Sequence, residues 1–243
     1  FFSPQVWSSD DTDPVERLKI QAGLSYLYPL SSMGAHVSSA PDQQTLRETP
    51  ISTRFNVSCF GCLGYELDLK YLGYVQKREI KRQIAFYKEH RKTFQYGRFY
   101  RIESPKSNKV VWQCVSDDKS EAVAGLFQTI ASAGEGYDYL PVKGLDPETA
   151  YRFQTKPQSL FIKRFGDLIK HVFPIELNPD GLILRTVNKL YAMADCVEEY
   201  EAHGDMLAAG IRLNNQFIGS HFNDKVRLLG DFGSNLYIIK KAG

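Results

Sequence analysis

The sequence predicts an α/β unit followed by an all-β one: parallel β/α units over residues 1–94, then an antiparallel β-sandwich over 95–243. Three observations carry this division. Up to Gln95, strand-like and helix-like stretches alternate in steps of about 30 residues, the mark of β/α units. From Gly97 onward, short β-like runs separated by turn signals take over, as a sandwich requires. The length of 243 residues, 43% hydrophobic and 24% charged, suits one large or two ordinary domains with a sizeable core.

Residues 5–8 read as the end of a buried strand. Asp13 then reads as a helix N-cap, with Pro14 at the first helical position and Glu16 three residues after the cap, a capping-box arrangement. That helix is expected to run to about Tyr28-Pro29. Met33–Ser38 is a short apolar segment with a polar end, followed by an irregular stretch rich in Ser, Pro and Asp. A second helix is expected from about Ile51 to Phe60, and Gly64–Leu69 reads as a strand or turn. A strong helix follows, with Val75, Ile80, Ile84 and Tyr87 near helical spacing. Its last turn is expected at Lys88, His90, Arg91 and Lys92, where cations suit the helix dipole. There is room for about three β/α units, too few to close a barrel of eight.

In the second half, strands are expected at Arg98–Ile102, Lys109–Val115, Glu121–Phe127, Gly210–Leu213, Val226–Gly230 and Ser234–Ile239. Gly144-Leu145-Asp146-Pro147 marks a turn. Residues 154–200 carry a weaker pattern and read as an insertion with some helix. The sequence shows no internal repeat and no low-complexity segment.

Net charge is +2, from 30 basic and 28 acidic residues. That balance gives no reason to expect a nucleic-acid or membrane partner, and no apolar run approaches the roughly 20 residues a bilayer span needs. Four cysteines, Cys59, Cys62, Cys114 and Cys196, are too few for a secreted disulfide framework. Free thiols in a reducing compartment, the cytoplasm, are expected. The sequence opens Phe1-Phe2-Ser3, without an initiator Met or a signal-peptide pattern, so this end leaves targeting open.

The most chemical stretch is Val6-Trp7-Ser8-Ser9-Asp10-Asp11-Thr12-Asp13-Pro14. It sets three carboxylates between an apolar run and a helix, where an α/β barrel presents an acid at the mouth of its site. Glycoside hydrolysis uses one carboxylic acid to protonate the leaving oxygen and a second carboxylate to attack or activate water. Asp10 or Asp11 suits one of those roles, whereas Asp13 is expected to serve the helix N-terminus.

Other motifs read as structural. Cys59-Phe60-Gly61-Cys62 has CxxC spacing, but zinc needs a second ligand pair and a redox pair needs a thioredoxin-like context, so two packed thiols are expected. Asp231-Phe232-Gly233 spells the kinase triplet without the other kinase motifs and reads as a turn between strands. His36, His90, His171, His203 and His221 are scattered with no metal-ligand spacing. His36 follows an apolar run at a strand end; it could border a pocket, and a structural role is the expectation. Lys77–Arg82 is expected to be a solvated helix face, and the Asn56-Val57-Ser58 sequon matters only in a secreted protein.

Several blocks resemble one family. Pro4–Asp13 with Glu16–Gln21 resembles the acid/base segment of the α-galactosidases of glycoside hydrolase family 36. So do Ser32–Ser38 with Pro41 and Gln44, Phe60-Gly61 running into Gly64–Leu69, Gln83–Lys88, and Arg227–Ser234. The resemblance implies the last β/α units of a (β/α)8 TIM barrel followed by a C-terminal antiparallel β-sandwich. It implies retaining hydrolysis of terminal α-D-galactose residues from oligosaccharides such as melibiose and raffinose. It places the proton donor, the acid/base, on Asp10, with Asp11 as the fallback. It implies a homo-oligomer, often a tetramer in the family, and an oligosaccharide substrate; nothing in the sequence calls for a metal, a nucleotide or a redox cofactor.

The sequence departs from the family in one large respect. The Lys-Trp-Asp type segment that carries the family's nucleophile, and the Cys/Gly-rich segment that helps hold the sugar, do not occur in it. The expectation is therefore a C-terminal portion of a longer chain, inactive as an isolated 243-residue unit. The competing reading is a non-catalytic degenerate homologue, or a carbohydrate-binding or structural module built on the sandwich.

Overall fold

Three short strands begin the chain in parallel. β1 (Val6–Trp7) pairs with β2 (Met33–Ser38), setting Trp7 opposite Gly34, and β2 pairs with β3 (Cys62–Glu66), setting His36 opposite Gly64. The structure is a computed structural model that describes residues 4–161, 178, 181–195, 197–213 and 229–243. β2 is buried at almost every position, as expected of a strand in a parallel sheet covered on both faces.

α1 (Pro14–Leu24) starts where its cap dictates: Asp13 accepts from the Val15 N–H at 2.7 Å, with Pro14 at the first helical position. It ends at Leu24, a turn earlier than the sequence suggests. Gly23 weakens the last turn, and Tyr26 and Leu27 are exposed, with no core face to hold them in a helix. α2 (Ile51–Ser58) begins after Pro50 and buries all eight of its residues. α3 (Tyr74–Tyr96) runs one turn beyond the expected end at Lys92, because Thr93 and Phe94 still face the core. Gly97 stops it at a tight contact: a Cβ there would lie 2.4 Å from the Thr93 carbonyl oxygen and 2.6 Å from that of Val115.

The second half is dominated by a six-stranded antiparallel sheet. Its strands are β4 (Arg98–Ile102), β5 (Lys109–Val115), β6 (Glu121–Gln128), β8 (Ala150–Thr155), β11 (Glu199–His203) and β13 (Ser234–Lys241), in the order β11-β8-β13-β6-β5-β4. Two smaller antiparallel pairs accompany it: β7 (Asp138–Leu140) with β12 (Ile211–Leu213), and β9 (Ser159–Leu160) with β10 (Met193–Ala194). Two further helices, α4 (Leu182–Leu190) and α5 (Gly204–Ala209), complete the described elements. No described helix is long and apolar enough to cross a membrane. The expected strand at Val226–Gly230 lies largely outside the described residues, as do Cys196, His171, His221 and much of the 154–200 segment.

Alternation along the six strands feeds two cores. Trp112, Cys114, Val123, Phe127 and Leu236 face α2 and α3, while Val111, Val115, Ala124, Tyr151, Phe153, Tyr237 and Ile239 face the β7–β12 pair and α5. The first core is continuous with that of the parallel unit. Phe60, just after α2, is fully buried there, its ring centroid 5.2 Å from Phe94, 5.5 Å from Trp112 and 6.1 Å from both Phe99 and Phe127. Polar groups bridge the same seam. Asn56 Nδ2 donates to Ser234 Oγ at 3.0 Å and to Gln158 Oε1 at 3.3 Å, and Ser234 Oγ donates to Thr53 Oγ1 at 2.9 Å.

Because Phe60 fills the seam from the helical side, Phe60→Ala is expected to cost about 3–5 kcal/mol. Urea unfolding of this polypeptide, followed by the fluorescence of the buried Trp112, measures it; a loss below about 1 kcal/mol would mean the two halves do not share a core.

Candidate active site

The C-terminal ends of the three parallel strands open into a cleft of about 690 Å³. Its lining is Trp7 from β1, Asp10 just beyond it, His36 from β2, Gln43 and Gln44 from the following loop, and Tyr65 and Glu66 from β3. Two glycines lie beneath the rings of Trp7 and His36. A Cβ on Gly34 would lie 2.9 Å from the Trp7 ring, and a Cβ on Gly64 would lie 2.4 Å from the His36 ring. Each ring therefore lies over the backbone of the neighbouring strand. The rings meet edge to face, 4.5 Å between centroids, and His36 Nδ1 pairs with Glu66 Oε2 at 3.3 Å. His36 thus borders the cleft, half-buried, rather than serving only the core. Trp7, Tyr65 and Glu66 lie in the resembling blocks with no role assigned to them, and Gln43 lies in none. The signal that could have found them is position, since each lies at or just past the end of a parallel strand.

The three clustered carboxylates take three different environments. Asp10 is exposed, faces the cleft, and accepts from Trp7 Nε1–H at 2.8 Å. Asp11 turns back onto the backbone: its Oδ1 accepts from the Asp13 N–H at 3.0 Å, and its own N–H donates to Ser9 Oγ at 3.0 Å. Burial, with Asp42, Asp13 and Glu16 nearby, raises the Asp11 carboxyl above its ordinary range, against the opposing pull of the Asp13 N–H. Asp11 bonds to the helix start and is not among the residues that line the cleft. Asp13 is fully buried and caps α1.

The Asp11 bond replaces half of the expected capping box. Glu16 does not reach back to the Asp13 N–H; it pairs with Lys19 and Arg47 instead. Arg47 also closes on Asp13 Oδ2 at 2.7 Å, and Thr45 Oγ1 donates to the same oxygen. Burial draws the Arg47 guanidinium down, but Asp13 and Glu16 more than offset it, and the group is held above its ordinary value. Behind the cleft, burial lowers Arg17 to about 10, with Asp11 opposing; Arg17 donates to the Gly34 carbonyl and to Gln21 Oε1. Asp42 shapes the Gln43-Gln44 loop, its Oδ1 accepting from the Gln44 and Thr45 N–H groups at 2.8 and 3.1 Å.

The remaining motifs settle into structural places. Cys59 and Cys62 are free thiols that donate to different carbonyls, those of Asn56 and Ser31. Asp231-Phe232-Gly233 is a turn entering β13, and Arg47 lies over the Phe232 ring at 5.3 Å. Lys77, Arg78, Lys81 and Arg82 are exposed on α3, a solvated face. Asn56 is completely buried and cannot carry a glycan.

Asp13→Ala removes a cap and strands Arg47, a combined loss of about 2–4 kcal/mol. Asp13→Asn keeps the cap and should lose about half as much or less. Thermal melts of the two variants separate the contributions; equal losses would assign the whole effect to the ion pair.

Family comparison places this geometry. A family model described as Melibiase matches residues 1–97, and one described as the Glycosyl hydrolase family 36 C-terminal domain matches residues 109–239. Among curated relatives, the chain is 45% identical over 155 residues to α-galactosidase AgaA of Geobacillus stearothermophilus and 43% identical over 153 residues to α-galactosidase 1 of Pediococcus pentosaceus. Each alignment covers 63% of this chain and 21% of the relative, so the chain spans about a fifth of the length of the curated relatives it matches. The crystal structure of AgaA in complex with raffinose superposes with a TM-score of 0.72 at 34% identity, covering 98% of this chain and 26% of that one. The α-galactosidase of Lactobacillus brevis gives 0.72 at 33% identity, with 99% and 26% covered. With over half its length matched by one family model and the parallel unit by another, the chain belongs to glycosyl hydrolase family 36.

Proposed function

We propose that these residues supply the acid/base half of a retaining α-galactosidase, and that Asp10 is its proton donor. The observation that carries the reading is the separation of the two adjacent carboxylates: Asp10 faces the cleft, while Asp11 is bonded to the start of α1. Asp10 protonates the glycosidic oxygen as the bond to the leaving group breaks, then takes a proton from the water that releases galactose. Terminal α-galactosides such as melibiose and raffinose are the substrates; AgaA, solved with raffinose, supports this class.

In this reading residues 1–94 are the last β/α units of a (β/α)8 barrel and residues 95–243 a C-terminal β-sandwich. The parallel strands, the antiparallel sheet and the two matched family models support that division. Retention needs a second carboxylate about 5–5.5 Å from the first. It comes from polypeptide outside these 243 residues, because the sequence lacks the family's Lys-Trp-Asp segment. A homo-oligomer, a tetramer by family resemblance, belongs to the same reading. So does a cytoplasmic location, which the free thiols Cys59, Cys62 and Cys114 support.

In the catalytically complete enzyme, Asp10→Asn should lower kcat/KM for melibiose by about 10²–10⁴. The 243 residues alone should leave melibiose intact. Asp11→Ala, which removes the acceptor for the Asp13 N–H, should lower the melting temperature while leaving hydrolysis of melibiose within a few-fold. Near-normal hydrolysis of melibiose by the Asp10 variant would remove Asp10 from the role, and an inactive complete protein would favour the non-catalytic module.

A further inference from the structure

Asp10 is exposed, and an exposed aspartate samples several rotamers unless something holds it. Among the described residues, the one hydrogen-bond donor that reaches its carboxylate is the Trp7 indole N–H, 2.8 Å from Oδ1. We infer that Trp7 is a positioning residue that fixes which Asp10 oxygen carries the proton. This rests on the assignment of Asp10 as acid/base.

An indole N–H donates and cannot accept. When Asp10 is protonated, its carbonyl oxygen is the stronger acceptor for that N–H, which favours the acidic hydrogen on Oδ2. When Asp10 is ionised the same contact persists as a charge-assisted hydrogen bond. One contact thus serves both half-reactions, holding the carboxyl in a single orientation while Oδ2 first delivers and then receives the proton.

Trp7 is itself held by three strands. The β1–β2 register sets it opposite Gly34, whose missing Cβ gives the ring its place. The His36 ring meets it at 4.5 Å, and His36 lies over Gly64 with Nδ1 tied to Glu66. The indole is braced by backbone and by a second ring, so its N–H points at one place beyond the end of β1. A residue held this way, with its single polar atom spent on an exposed carboxylate, is doing more than packing.

The test replaces Trp7 in the catalytically complete enzyme with β-(3-benzothienyl)alanine, which keeps the ring shape and substitutes sulfur for the N–H. Trp7→Phe is the second variant, and Asp10→Asn runs in parallel. Each is assayed for kcat/KM on melibiose, whose leaving group needs protonation, and on p-nitrophenyl α-galactoside, whose leaving group does not. Both Trp7 variants should lose about tenfold more on melibiose than on the nitrophenyl substrate, a smaller copy of the Asp10→Asn split. A benzothienyl variant equal to wild type on both substrates, or equally slowed on both, overturns the inference and leaves Asp10 in place. If Asp10→Asn itself shows no dependence on the leaving group, the acid/base assignment falls and the inference falls with it.

Discussion

The structure depends on the complete burial of α2. An eight-residue helix is too short to be stable in isolation, and this one holds because every residue is enclosed between the parallel strands and the antiparallel sheet. Enclosure has a condition. Thr53 and Asn56 are polar, and each orphaned buried group costs about 1–3 kcal/mol; Thr53 Oγ1 and Asn56 Nδ2 find partners, while Asn56 Oδ1 has none among the described residues. The two paired groups bond to Ser234, and so join the first half of the chain to its last strand. Arg54 works toward the other side. It donates to the Ser38 carbonyl at the end of β2, and burial lowers its guanidinium to about 10 against the nearby Glu48. The helix is thus anchored on one side to the end of β2 and on another to the antiparallel sheet.

How much of this was legible follows from what each residue answers to. Strands β4, β5, β6 and β13 begin where the sequence places them, since their apolar and aromatic runs are bounded by local turn residues. β8 was missed although Tyr151, Phe153 and Thr155 alternate inward, because six residues between weak turn signals give too little pattern. β11 pairs with β8 on the outer edge and is mostly exposed, so its sequence carries almost no apolar signal. The end of α3 was misplaced for a different reason. The basic residues near Lys92 suit a helix terminus, but the packing of Phe94 on Phe60 and Phe86 carries the helix onward to Gly97. Local electrostatics, worth well under a kcal/mol per charge at a surface, loses to a buried aromatic.

The site divides the same way. Asp13 as a cap was legible because capping is local and has a fixed offset to the helix. The choice between Asp10 and Asp11 was not, since neighbouring residues at a strand end differ only in which way the backbone turns. In the structure the Asp13 N–H bonds Asp11, while Asp10 faces the cleft. The partner of Asp13 was also hidden: Arg47 comes from the loop after β2, and its contact with Phe232 comes from a turn far along the chain.

Gly34 and Gly64 tie these levels together. Each lies where a neighbouring strand's ring must cross the sheet edge, and a Cβ at either would meet that ring well inside contact distance. The missing side chains let Trp7 and His36 lie across the strands, which places the indole N–H near the residue three beyond it. The following Asp11 then faces the helix start and Asp13 enters it. One short strand end, a capped helix and two bare backbone positions therefore give three carboxylates three separate surroundings, and of the three only Asp10 lines the cleft.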